Sequence, residues 1–204
     1  MITPDYLENI FAHLLKEPLK HSRFINTLSM LEYIGARKII KSQIAVSFTV
    51  ELLNHVAEEI RHAQILKKWA LRLSDKQLTT YEEKHLLAGR EAQQYIQTVD
   101  RTVEKELGEK DVWLNYLFTT LAIEERALSF YSQYQIFLEK NGVDESVTSI
   151  LREEERHLGQ IRRLKDSLDY KGDKFLSKLQ KVENEGFNNW IMKVLETIEG
   201  GDSL

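Results

Sequence analysis

Apolar residues recur along this chain at spacings of three and four, the mark of helices that each bury one stripe. The rhythm is sharpest over 111–140, where Leu114, Leu117, Leu121, Leu128 and Tyr131 keep an a/d register. It recurs over 144–170 through Val147, Ile150, Ile161 and Leu164, over 48–73 through Leu52, Val56 and Leu66, and over 20–46 through Ile25, Leu28 and Ile39. A further helix is expected over about 76–107, closed by Gly108, and a last one over about 173–199, closed by Gly200-Gly201. A short helix follows Thr3-Pro4-Asp5 and ends near Pro18, and Asn141-Gly142 stops the helix over 111–140. With 2 Pro, both before residue 20, and 9 Gly, little interrupts this pattern. The fold class it predicts is all-α.

Four of these stripes are broken by polar residues at seam positions. Glu32 falls in line with Ile25, Leu28, Gly35 and Ile39. Glu59 and His62 fall in line with Leu52, Val56 and Leu66, and Glu124 with Leu121 and Leu128. Glu154 and His157 interrupt the stripe of Ile150 and Ile161. An unpaired carboxylate in an apolar seam is costly, so each seam carboxylate needs a partner, a metal ion or another side chain.

Two of the four interruptions are near copies. Glu58-Glu59-Ile60-Arg61-His62 and Glu153-Glu154-Glu155-Arg156-His157 share the pattern E-E-x-R-H, 95 positions apart. A Glu three residues before a His puts a carboxylate and an imidazole on one helix face, where both can bind one ion. The four carboxylates and two imidazoles come from four expected helices. Hard carboxylates stabilise a ferric state and bridge two ions, while one imidazole per ion leaves positions open for oxygen. The same short pattern also occurs at Glu82 and His85, without a partner helix bearing a lone seam Glu. That pair is expected to be a decoy.

Composition narrows the function classes. The chain has 204 residues, 42% apolar and 29% charged, enough for one domain over 1–204 with a sizeable core. The formal net charge of -4 argues against nucleic acid as a partner. No apolar run reaches the roughly 20 residues of a membrane span, and MITPDYLENI has no basic-then-apolar leader pattern. There is no cysteine, hence no disulfide, thiol nucleophile, zinc-thiolate site or cysteine-ligated iron–sulfur centre. A cytoplasmic location is expected. Any metal must be held by His and carboxylate, and electrons must come from an external donor.

Over about 20–170 the sequence resembles the ferritin-like superfamily, in its di-iron carboxylate branch. The resemblance rests on Glu32 in LSMLEYIGAR, Glu59 and His62 in HVAEEIRHAQ, Glu124 in LAIEERALSFY, and Glu154 and His157 in REEERHLGQI. It implies a four-helix bundle with one long helical crossover, plus additional N- and C-terminal helices. It implies two iron ions, with Mn/Fe or Mn/Mn as variants. Glu32 and Glu124 would be outer ligands, and Glu59 and Glu154 bridges. The stretch IEERALSFY looks like the matching helix of oxygen-activating members, including aldehyde-deformylating oxygenases. The implied activity is a di-iron oxidase or oxygenase that uses O2 to oxidise a small organic substrate. An iron-handling or peroxide-reducing protein is the alternative, and a helical interaction protein with structural Glu and His a third. Lack of cysteine weakens a self-contained peroxidase.

Other residues allow more than one role. His55, one turn before Glu59, is either an extra ligand, as in di-iron N-oxygenases, or a packed or supporting histidine. Arg61 and Arg156 are expected to face away from the metals and pair with carboxylates of neighbouring helices. Glu58, Glu125 and Glu153 are candidates to accept the second N–H of a ligand histidine, or are solvated. Tyr131 and Tyr33 are core or interface aromatics, or a proton or radical relay. Gly35 and Ala36 leave room for oxygen or substrate, or let two helices approach. Phe187, Trp190, Ile191 and Val194 give the last helix a stripe that covers the bundle or forms a homodimer face.

Overall fold

A computed structural model describes residues 2–43, 49–108, 111–168 and 173–200. Among them are seven α-helices and one 3-10 turn, with no strand: α1 Pro4–Lys16, α2 Pro18–Gln43, α3 Val50–Leu73, the 3-10 turn Glu83–His85, α4 Gly89–Leu107, α5 Val112–Lys140, α6 Thr148–Ser167 and α7 Asp173–Glu199. Local chemistry fixes the starts. Thr3 caps α1 through Tyr6 N, Thr49 caps α3 through Leu52 N, and Asp111 caps α5 through Leu114 N. Among the described residues, no helix is long and apolar enough to cross a membrane.

The helices pair antiparallel. Along α2 and α3, Ser29 Oγ donates to Ala63 O at 2.7 Å, and Glu32 faces His62. Along α5 and α6, Gln135 Oε1 accepts from Val147 N at 2.7 Å, and Arg162 reaches Glu125. Along α4 and α7, Tyr95 OH donates to Glu183 Oε1 at 2.8 Å. The apolar stripes read from the sequence are the buried ones: Ile25, Leu28, Leu66, Leu117, Leu121, Ile150 and Ile161 are all under 10% exposed. Leu164, at the end of its stripe, is 39% exposed, so that seam ends a turn early.

The expectation of one helix over 76–107 fails in its first half. The chain leaves α3 at Ser74 and turns through left-handed Asp75 (φ 48°) and Lys76 (φ 64°); α4 begins only at Gly89, after left-handed Ala88 (φ 51°). Residues 77–88 instead form a strap across α2. Buried Asn26 donates to Thr80 O at 3.1 Å and His85 O at 2.9 Å, and buried Thr27 donates to Leu87 O and accepts from Leu87 N. These two side chains replace the hydrogen bonds of a helix, and Leu78, Leu86 and Leu87 are buried beneath the strap. Helical spacing alone could not reveal this competitor.

The C-terminal helix covers the bundle. Phe187, Trp190, Ile191 and Val194 are 0–3% exposed. Arg126 of α5 grips Glu183 of α7 at 2.8 Å through both Nε and an Nη, and its guanidinium lies 4.3 Å over the Phe187 ring.

Candidate metal centre

The four interrupted stripes meet in the middle of α2, α3, α5 and α6. Glu32, Glu59, His62, Glu124, Glu154 and His157 are all buried, between 0 and 9% exposed. Their donor atoms, with those of His55, fall into two groups in which every atom lies within 4.8 Å of the others. One group is Glu32, Glu59, His62 and Glu154; the other is His55, Glu59, Glu124 and His157. Glu59 is common to both. Glu154, which the family resemblance makes a second bridge, belongs here to one group alone, on the His62 side. His62 Nδ1 lies 3.1 Å from Glu154 Oε1 and 3.6 Å from Glu32 Oε2. His157 Nδ1 lies 3.8 Å from Glu59 Oε1.

His55 is the residue that the six-ligand reading left outside. Its Nε2 sits 3.1 Å from Glu124 Oε1 and 3.3 Å from Glu59 Oε1. Its Nδ1 meets Tyr116 OH at 3.2 Å, which fixes the ring. Position 55 is one turn from Glu59 on the same helix face, so the signal was present in the i, i+4 spacing.

The outer nitrogens of the two pentad histidines are held crosswise. His62 Nε2 is 2.7 Å from Glu153 Oε2, and His157 Nε2 is 2.6 Å from Glu58 Oε2. Arg61 donates to the same Glu153 at 2.7 Å, and Arg156 to the same Glu58. Each pentad thus supplies the carboxylate that fixes the other's imidazole and arginine. Two antiparallel copies of E-E-x-R-H generate this arrangement directly. It leaves Nδ1 of each ring facing the buried carboxylates. Glu125 takes no part; it pairs with Arg162 at 2.8 Å on the surface.

Among the described residues, His62 Nδ1, His157 Nδ1 and both carboxylate oxygens of Glu124 are buried without a well-aligned hydrogen bond, although His62 Nδ1 and Glu124 Oε1 each have a polar neighbour at 3.1 Å. Four such atoms in one cluster are unusual in a folded chain. Four buried carboxylates carry up to four negative charges, the charge that two divalent cations neutralise. The protons respond to burial and to the neighbouring charges. Burial pushes Glu124 up to about 7 and raises Glu59 and Glu154. Burial opposes charge on His55 and His62 too, but Glu124 and Glu59 hold His55 at about 10, and Glu154 and Glu32 hold His62 at about 11. Burial and the neighbouring His55 push His157 down to about 4. Burial also acts against Glu58, yet Arg156 and His157 bring it down to about 2. A metal ion displaces such protons from its ligands. These groups can hold metal ions, and their nitrogen and carboxylate donors suit iron, manganese or zinc.

Tyr131 belongs to the centre: its buried hydroxyl donates to Glu32 Oε1. Tyr33 does not; it is 38% exposed, with its ring 5.8 Å from Tyr81. Gly35 gives space, though to a carboxylate: a Cβ there would lie 2.9 Å from Glu59 Oε2. The decoy Glu82 and His85 sits in the strap, where His85 Nδ1 meets Thr80 Oγ1 at 2.7 Å.

A cavity of about 160 Å³ opens against the cluster between α2, α4, α5 and α7. Glu32, Glu59, Glu124 and His55 form one end of its wall, and Leu31, Ile96, Ile123, Phe130 and Trp190 give it an apolar body. No protein-family model, curated protein or solved structure matches this chain, so the residues of the site carry the functional reading.

Proposed function

We propose that this chain is a di-iron carboxylate oxidase or oxygenase, built as a ferritin-like bundle, that uses O2 to oxidise a small organic substrate. The observation that carries the reading is the pair of four-residue groups sharing Glu59, four of whose buried donor atoms lack a well-aligned hydrogen bond. Glu32, Glu59, His62 and Glu154 would hold one ion, and His55, Glu59, Glu124 and His157 the other. When bound, iron supplies the electrons that O2 chemistry requires, and an external reductant restores them, since the chain has no cysteine for an iron–sulfur relay.

The chain's own residues prepare the site. Glu58 and Glu153 hold the outer nitrogens of His157 and His62, so both rings keep one orientation. Tyr131 holds Glu32 by one oxygen and leaves the other nearer His62. The mainly apolar wall beside the reacting end leaves room for a small organic molecule. That cavity, directly against the cluster, favours substrate oxidation over iron storage.

The test is oxygen uptake after anaerobic loading with ferrous iron. Single-turnover consumption of O2, followed by a stall that an added reductant relieves, supports the reading. Growth of large ferric mineral cores under excess iron would favour iron handling instead.

A further inference from the structure

The wall of the cavity changes character along α5. At one end stands Glu124; toward the helix N-terminus stand Thr119 and Asn115, five and nine residues away. A rise of 1.5 Å per residue puts them roughly 8 and 14 Å from Glu124 along the helix axis. The apolar part of the same wall includes Leu31, Ile96, Ile123 and Phe130.

The far end carries an unmet chemical demand. Asn115 Oδ1 and Thr119 Oγ1 are buried and have no hydrogen-bond partner among the described residues. Asn115 Nδ2 donates to Gly108 O at 3.1 Å, which fixes the amide and leaves Oδ1 as an acceptor. The cations in the same wall are already neutralised: Lys38 pairs with Asp100, and Arg126 with Glu183 at 2.8 Å. Thr119 Oγ1 can donate as well as accept, whereas Asn115 Oδ1 only accepts; a carboxylate head would find one hydroxyl donor but also an amide oxygen, a carboxylate and no unpaired cation there. A head that donates a hydrogen bond would satisfy the buried acceptor.

We propose that the cavity takes a molecule with an apolar body and a donor head, a hydroxyl or an amine, seated on Asn115 Oδ1 and Thr119 Oγ1. The body lies along Leu31, Ile96 and Ile123, and its far end reaches the Glu124 side of the cluster. Which end reacts rests on the dimetal reading; recognition of the head does not.

The experiment titrates n-octylamine, n-octanol and octanoate into the full chain by calorimetry. The amine and the alcohol are expected to bind at least tenfold more tightly than octanoate, the scale of one hydrogen bond made or left unmade at a buried site. Asn115→Leu should cut that preference about tenfold; Thr119→Val, which removes a group able to serve donor and acceptor heads alike, should weaken all three ligands, and Thr119→Ser should restore them, with circular dichroism confirming the fold. Octanoate binding as well as the amine, folded Asn115→Leu protein that keeps the full preference, or folded Thr119→Val protein that binds all three ligands as the parent does, would overturn the proposal. Neither residue is a metal donor, so metal content is read separately on the same samples. Metal-replete protein without head discrimination fails this inference alone. Discrimination in protein that binds no metal fails the dimetal reading alone.

Discussion

Gly35 and Glu59 touch across the α2–α3 pair: a Cβ on Gly35 would stand 2.9 Å from Glu59 Oε2. Glu59 is the carboxylate that both ligand groups share, and the space for it exists because position 35 has no side chain. Gly35→Ala would gain helix propensity, about 1 kcal/mol in a helix interior. The end of a flexible Glu side chain would move before either backbone did. The expected outcome is a variant as stable as the parent in thermal melts, with tenfold or weaker affinity for ferrous iron.

The crossed pentads make a second prediction. Glu58→Gln and Glu153→Gln each remove a carboxylate that orients a histidine of the opposite pentad. Loss of such an outer partner costs 10–100-fold in metal affinity in comparable sites. Glu125→Gln removes a surface partner of Arg162 and should change nothing. Competition against a chromophoric chelator measures all three.

Removal of ligands should be unequal. Glu59→Ala takes a donor from both groups and should abolish paired binding, whereas Glu154→Ala spares the group of His55, Glu59, Glu124 and His157. Glu82→Ala, in the strap, should leave stoichiometry unchanged. Ferrous titration of the three variants distinguishes the outcomes.

Acid should destabilise the fold through His21. Burial lowers its pKa from 6.5 to about 4, and its Nε2 lies 2.5 Å from Tyr134 OH. The unfolded chain therefore takes up a proton below pH 6.5 that the folded chain refuses until about pH 4. Stability from this group is complete above pH 6.5 and is lost as pH falls across that window. The loss amounts to about 3 kcal/mol at roughly 1.4 kcal/mol per pKa unit. Urea unfolding of His21→Gln between pH 7 and 4 should show a correspondingly shallower decline.

Much of this was legible in the chain because helical periodicity reports burial. Glu32, Glu59, His62, Glu124, Glu154 and His157 are polar residues at apolar phases, and the structure gathers all six. Glu58 and Glu153 could be named as histidine partners, but their crosswise exchange depends on the antiparallel placement of α3 and α6, which one-dimensional spacing does not fix. His55 was readable as an i, i+4 neighbour of Glu59; its ring position depends on Tyr116, 61 residues away. The strap over 77–88 escaped because its hydrogen bonds come from Asn26 and Thr27 on another helix. A helix propensity cannot register that competition.

Anomalous diffraction at the iron edge, on crystals of anaerobically reconstituted protein, tests the central claim most directly. The account predicts two peaks per chain, one among Glu32, His62 and Glu154 and one among His55, Glu124 and His157, with Glu59 touching both. Well-ordered crystals with no peak inside the bundle, or with iron elsewhere on the chain, would contradict it.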